Sequence, residues 1–147
     1  MSKLAKQAAF LGIGWGFPPS FDKFSPQAAD APGVRMVSGE EDIKQAIRLI
    51  LDITPGDRVM APKFGCNLRR FAFEPMDTAL FAMIETEVRS ALLHFEARID
   101  VNRIAAEPLR ENARAVIVTI DYTVRTSNRR QNLVYPYYLA EATGLPQ

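Results

Sequence analysis

The sequence predicts an α+β domain: a small antiparallel sheet of three to four strands packed against two helices, with an extended N-terminal arm. Three observations lead there. Apolar residues recur at helical spacing after Ser38 and again after Asp77. The stretch Arg114–Thr126 alternates apolar and polar residues with a period of two. The first 33 residues carry Gly, Pro and aromatic side chains with no period. Residues 1–33 are therefore read as the arm and 34–147 as a single domain; at the chain's length of 147 residues roughly 68% of the unfolded surface can be buried on folding.

The arm contains Gly14-Trp15-Gly16-Phe17-Pro18-Pro19, then Phe21, Phe24 and Pro26. Pro18 and Pro19 favour extended backbone and forbid a regular helix. Trp15 is the only Trp, and Phe17, Phe21 and Phe24 are three of nine Phe, a content foreign to disordered tails. Two readings stand side by side: a segment tied down on its own domain, or an arm that docks on a partner through Trp15 and Phe17. Lys3 and Lys6 before the apolar stretch Ala8–Phe17, with Ala29-Asp30-Ala31 beyond, imitate a secretory signal. Gly12, Gly14 and Gly16 interrupt that stretch, and Pro18, Pro19, Asp22 and Lys23 follow it, so no signal is expected. No apolar run approaches the roughly 20 residues that cross a bilayer.

Val34–Val37 reads as a short strand. Ser38-Gly39-Glu40-Glu41 reads as a capping box, with Ser38 as the cap and Glu41 reaching back to it. Glu40, Glu41 and Asp42 suit a helix N-terminus. Ile43, Ala46, Ile47, Ile50 and Leu51 form the apolar stripe of the first helix, which Pro55-Gly56 ends. The connection Pro55–Pro75 then exceeds the usual length of about 2–8 residues. Its Val59, Met60, Phe64, Leu68, Phe71 and Phe73 are expected to pack on the domain's own core, leaving Arg58, Arg69 and Arg70 as outward docking charges.

Asp77 caps a second helix running to about Glu96, with Leu80, Phe81, Ile84, Val88, Ala91, Leu92 and Phe95 as its stripe. Strands follow at Ile99–Ile104 and Arg114–Thr126, joined by a turn at Pro108–Asn112. Val116, Val118, Ile120, Tyr122 and Val124 line one face of the second. Ser127–Arg130 is a hairpin turn and Gln131–Leu139 the returning strand. Pro136 has no N–H to donate, so this strand belongs at a sheet edge. An edge is a liability unless it is covered or used, and strand addition by a partner is the common use.

The chemistry is sparse. Eighteen basic and 17 acidic residues leave a net charge of +1, so no overall field draws nucleic acid or membrane. Arg69-Arg70 and Arg129-Arg130 make no basic stripe, although Tyr135, Tyr137 and Tyr138 could stack bases. One Cys, Cys66, and one His, His94, at a helix end, supply neither an internal disulfide nor zinc-type spacing nor an activated thiol. No catalytic, cofactor or metal site is expected. The one enzymatic alternative is a carboxylate pair, Glu74 and Glu96, of a lysozyme-like glycoside hydrolase. Each has a structural use: Glu74 can pair with Arg69 or Arg70, and Glu96 lies two residues from Arg98.

Several motifs then occur in one order. They are Arg35-Met36-Val37-Ser38-Gly39-Glu40-Glu41-Asp42-Ile43, Pro55-Gly56-Asp57-Arg58-Val59-Met60 with Pro62, Phe64-Gly65-Cys66, Phe73-Glu74-Pro75, Asp121-Tyr122 and Asn132-Leu133-Val134-Tyr135-Pro136. Together they resemble the GpW/gene-25-product-like baseplate family of contractile phage tails, type VI secretion systems (as the TssE subunit) and extracellular contractile injection particles. The resemblance covers about residues 34–138, and Gly14–Pro18 is similar to members from tail-like particles.

The resemblance implies a structural subunit without enzymatic activity or cofactor. Its implied partners are baseplate wedge proteins and sheath subunits, with inner-tube or hub proteins beside them, and neither nucleic acid nor membrane. It implies assembly in the cytoplasm and then residence in the particle's baseplate. Sheath strands would add to the edge at Gln131, Leu133, Tyr135 and Tyr137, making the subunit a sheath initiator. The family's Glu-Pro-Arg wedge-binding motif reads Glu96-Ala97-Arg98 here, with the proline lost. Charge reversal at Arg98 is then expected to release the wedge and leave the fold intact. A free adaptor domain outside any particle is the remaining alternative.

Overall fold

The computed structural model describes residues 12–22, 33–34, 36–112 and 114–139. Phe24, Pro26, the Ala29–Ala31 stretch and the first eleven residues of the arm lie outside them. Contacts divide the chain into two compact units, residues 1–47 and 48–147. The architecture is α+β, as expected: two helices with small antiparallel sheets.

In the first unit, β1 (Ile13–Trp15) and β4 (Met36–Ser38) form an antiparallel ribbon, Trp15 opposite Met36. Beside it in sequence, β2 (Phe21–Asp22) pairs with β3 (Gly33–Val34). The strand expected at Val34–Val37 is thus shared between β3 and β4. The helix α1 (Glu40–Asp52) follows. Phe17 N–H donates to the Gln45 Oε1 of α1 at 3.0 Å, and Gly14 lies against the Asp42 carboxylate.

α1 begins one residue later than the expected capping box requires. Ser38 is the last residue of β4, and the carbonyl of Gly39 accepts the Ile43 N–H at 3.3 Å. Gly39 has φ +70°, a left-handed conformation that turns a strand directly into a helix and that Ser adopts at a cost.

The second unit holds the end of α1, the connection, α2 (Thr78–Phe95) and a sheet in the order β5 (Ile99–Pro108), β6 (Ala115–Val124), β7 (Arg129–Tyr138). Asp77 caps α2, its Oδ1 accepting from Leu80 N–H at 2.8 Å. Leu80, Ile84, Val88, Ala91 and Leu92 are buried, and α2 packs on β5. The predicted inner face of β6 is the core of the unit: Val116, Val118, Ile120, Tyr122 and Val124 are all fully buried. Asn128 takes φ +51° in the turn before β7, a conformation Asn tolerates better than most residues.

β5 is longer than expected, reaching Pro108 opposite Val116. The register shifts between Val101 and Arg103, so the apolar alternation restarts with Ile104 and Ala106 inside. A bulge of this kind hides a strand from pattern reading.

The connection divides into a packed half and an exposed half. Gly65 takes φ +121° and presses on the end of α1, where Cys66 N–H donates to the Ile53 carbonyl at 2.9 Å. A short 3₁₀ helix, Leu68–Phe71, buries Leu68 and Phe71, and the Phe64 ring tilts against Phe95 with centroids 5.0 Å apart. Val59, Met60 and Phe73 contradict the expected burial: they are 93%, 97% and 96% exposed. The reason lies in the backbone. Tight turns close from Asp57 N–H to Thr54 and from Phe64 N–H to Ala61, so residues 59 and 60 ride at a tip with no core beneath them.

Candidate docking site

The helix-to-strand junction is built around one ion pair. Glu96 ends α2, its N–H donating to the Leu92 carbonyl at 3.0 Å, and a turn at Ala97 and Arg98 leads into β5. Its carboxylate is 5% exposed and accepts from Arg98 Nε and Nη2, both at 2.7 Å, and from Arg98 N–H at 3.2 Å. The two residues named as wedge contacts therefore hold each other. Arg98, about one third exposed, is the one that faces outward. Replacing Arg98 by an acid would leave the buried Glu96 carboxylate without its guanidinium partner and near a like charge, so charge reversal is expected to cost stability as well as any contact. A cavity of about 400 Å3 adjoins this junction, lined by Leu93, Ala97 and the Asp100–Arg125 ion pair among others.

The sheet has two edges of unlike character. On β5 the bulge at Val101–Arg103 breaks the ladder, and the Ala106 N–H, instead of facing solvent, donates to Glu85 Oε1 of α2 at 2.9 Å. Both devices close an edge. β7 pairs with β6 in unbroken register from Val124 opposite Arg129 to Ala115 opposite Tyr138. Among the described residues its other side has no neighbouring strand.

The Leu139 N–H donates to Arg114 at 2.9 Å, which sets the parity of the ladder. Odd-numbered residues of β7 bond to β6, and the N–H and C=O groups of Arg130, Asn132, Val134 and Tyr138 face the free side. Pro136 falls in this outward set, where its missing N–H breaks no bond to β6. The residues expected to meet sheath strands, Gln131, Leu133, Tyr135 and Tyr137, belong to the other set. Leu133 is buried in the core, and the Tyr135 hydroxyl donates to Asp52 Oδ1 at the end of α1. Their alternate neighbours carry the open edge.

Beside the end of β7 lies a groove of about 550 Å3 between the strand and the connection, lined by Arg69, Phe73, Tyr135 and Tyr137 over buried Cys66 and Leu68. Sequence reading missed it, because Asp52 and Tyr135 are 83 residues apart and only the folded chain brings them together. Of the other expected docking charges, Arg58 stacks on the Phe64 ring at 4.7 Å, and Arg70 stacks on Phe71 while pairing with Glu87 at 3.6 Å rather than with Glu74. Trp15 and Phe17 are 67% and 59% exposed, although the Phe17 backbone is tied to α1.

Cys66, His94, Glu74 and Glu96 sit in four different settings. Burial pushes the Cys66 thiol up to about 12, with the charge of Glu87 adding, so it is protonated and unreactive near neutrality. His94 Nδ1 bonds to the Ser90 carbonyl at 2.9 Å on the outside of α2. Glu96 is committed to Arg98, and Glu74 is exposed in a turn. Among the described residues no cluster suits a metal ion, and no helix is long and apolar enough to cross a membrane.

A buried charge pair at a junction and an open strand edge mark a small α+β structural subunit. Comparison with known proteins gives the same class. Residues 37–129 match the family model of baseplate wedge protein gp25. The chain belongs to this family, which is one of structural baseplate proteins and not of enzymes. It is 30% identical over 86 residues to baseplate wedge protein gp25 of Enterobacteria phage T4, covering 58% of this chain and 64% of the T4 protein, a little under two thirds of it. A provisionally named tail lysozyme from Geobacter sulfurreducens has the same fold, with TM-score 0.66 and 42% identity over 70% of this chain and 93% of its own. A chain of the anti-feeding prophage baseplate superposes with TM-score 0.64 and 25% identity, over 95% of this chain and 94% of its own.

Proposed function

We propose that this chain is a structural component of the baseplate of a contractile tail or injection particle, and that it initiates the sheath by offering β7 to strands of the first sheath subunits. The observation that carries the reading is the open, regular edge of β7, with outward donors at Arg130, Asn132 and Val134, on a sheet whose other edge is closed. The Arg98 guanidinium, oriented by Glu96, is the contact to the wedge core, and the exposed Leu93 beside it adds apolar area. Trp15 and Phe17, exposed on the first unit, are a separate docking candidate. The subunit assembles in the cytoplasm before the particle is complete.

Val134→Pro tests the edge, because it removes one outward N–H and leaves every bond to β6 in place. Co-expression with the wedge proteins and the sheath subunit, followed by native mass spectrometry, should give wedge complexes that no longer recruit sheath. Sheath recruitment at the wild-type level would refute strand addition at β7. Failure of the wild-type chain to enter a stoichiometric wedge complex would favour a free adaptor instead.

A further inference from the structure

We infer that the groove beside the end of β7 is the specificity pocket for the strand that this edge receives, and that the incoming strand carries bulky apolar side chains at alternate positions with a carboxylate facing Arg69. The inference rests on the strand-addition reading of β7.

Three observations support it. An added strand places every second side chain on the α1 side of the sheet, about 5 Å from Tyr135 and Tyr137, directly over the groove. The groove's volume of about 550 Å3 lies within the range of roughly 300–1,000 Å3 typical of binding pockets. Second, its walls are prepared. The Tyr135 ring is fixed by Asp52, and Phe73 is held 96% exposed in a backbone-bonded turn, with Glu74 N–H donating to Phe71 at 3.2 Å. The Cys66 floor is a neutral thiol, and the positive charge of Arg69 is felt at the Tyr137 hydroxyl. The groove carries two charges, Asp52 and Arg69; the Asp52 carboxylate is taken up by the Tyr135 hydroxyl, and the exposed Arg69 is the charge that selects an anion. Third, Pro136 removes an edge donor in the very stretch where the groove lies, between Tyr135 and Tyr137. Backbone pairing is weakest there, so side chains must supply the recognition that the ladder lacks.

The test uses the whole chain and the sheath subunit of the same particle, with binding measured by titration calorimetry for Phe73→Ser, Arg69→Glu, Ala72→Trp and Val134→Pro. Phe73 and Arg69 are exposed, so their variants fold; Ala72→Trp blocks the groove from the side. Each groove variant should weaken binding at least tenfold. Substituting acids of the added sheath strand by Lys should find one that restores binding to Arg69→Glu. If Val134→Pro abolishes binding while the groove variants bind as wild type, the groove inference falls and strand addition stands. If the groove variants lose binding while Val134→Pro keeps it, the pocket takes something other than an added strand, and the inference falls. A wild-type chain that does not bind the sheath subunit overturns both. A concentration-dependent dimer of the chain alone, abolished by Phe73→Ser, would assign the groove to a second copy and overturn the inference.

Discussion

Arg98→Ala is the perturbation that best separates fold from docking at the Glu96–Arg98 junction. It removes the Nε and Nη2 donors, each 2.7 Å from a carboxylate that is 5% exposed, and leaves only the backbone N–H of residue 98 at 3.2 Å. Deleting one partner of a fully buried pair costs about 3–5 kcal/mol. Arg98 is 32% exposed, so water can replace part of what it gave, and the expected loss falls to about 2 kcal/mol. Arg98→Lys keeps a charge but not the fork, and should lose about 1 kcal/mol. Urea denaturation followed by far-UV circular dichroism at pH 7 reads both, with an unchanged slope showing that the denatured state is the same. A loss below about 0.5 kcal/mol for Arg98→Ala would mean that the pair is incidental to the fold. Wedge binding should be compared at a temperature where both variants are fully folded; only then does a loss report the contact itself.

Gly65→Ala should cost about 2–4 kcal/mol in the same assay, from left-handed backbone strain together with a Cβ that would clash with the Ile53 carbonyl; an unchanged midpoint would refute the close packing of the connection on α1. Asp77→Ala removes the α2 cap and should cost about 1 kcal/mol, partly restored by Asp77→Ser. Alkaline pH should destabilise the chain. The Cys66 thiol rises from its ordinary 9.0 to about 12 on folding, so its contribution is complete below pH 9 and is lost as pH climbs towards 12, at no more than about 1.4 kcal/mol per pH unit. Tyr135 and Tyr137 are raised too, chiefly by burial, and act in the same direction. A urea midpoint that does not move between about pH 8 and 11, or the same fall in Cys66→Ala, would refute the assignment.

Much of this fold is written in short-range chemistry. The α2 stripe and its Asp77 cap, the alternation of β6, and Pro136 as the mark of an edge strand are all local signals, and each stands where it was expected. What escaped depends on partners distant in sequence or on backbone detail. Gly39 takes the cap position expected for Ser38 because a strand runs into α1 without a linker, which demands φ +70°. Val59, Met60 and Phe73 read as core by composition, yet turns at Thr54–Asp57 and Ala61–Phe64 hold the first two at a tip. At the edge, sequence picks out the strand but not which alternate set of backbone groups is free; that parity emerges from the Leu139–Arg114 bond.

Pro136 has a further effect under symmetry. If two copies of this chain met β7 to β7, antiparallel about Val134, each Pro136 would face the Asn132 of the other copy. The two-fold axis would repeat the missing donor, so self-pairing would lose two hydrogen bonds where a foreign strand loses one. Arg130 of each copy would meet Tyr138, with no opposite charge to answer it. The residue that marks β7 as an edge thus also favours heterotypic over homotypic pairing, keeping identical chains apart while the edge waits for a different one.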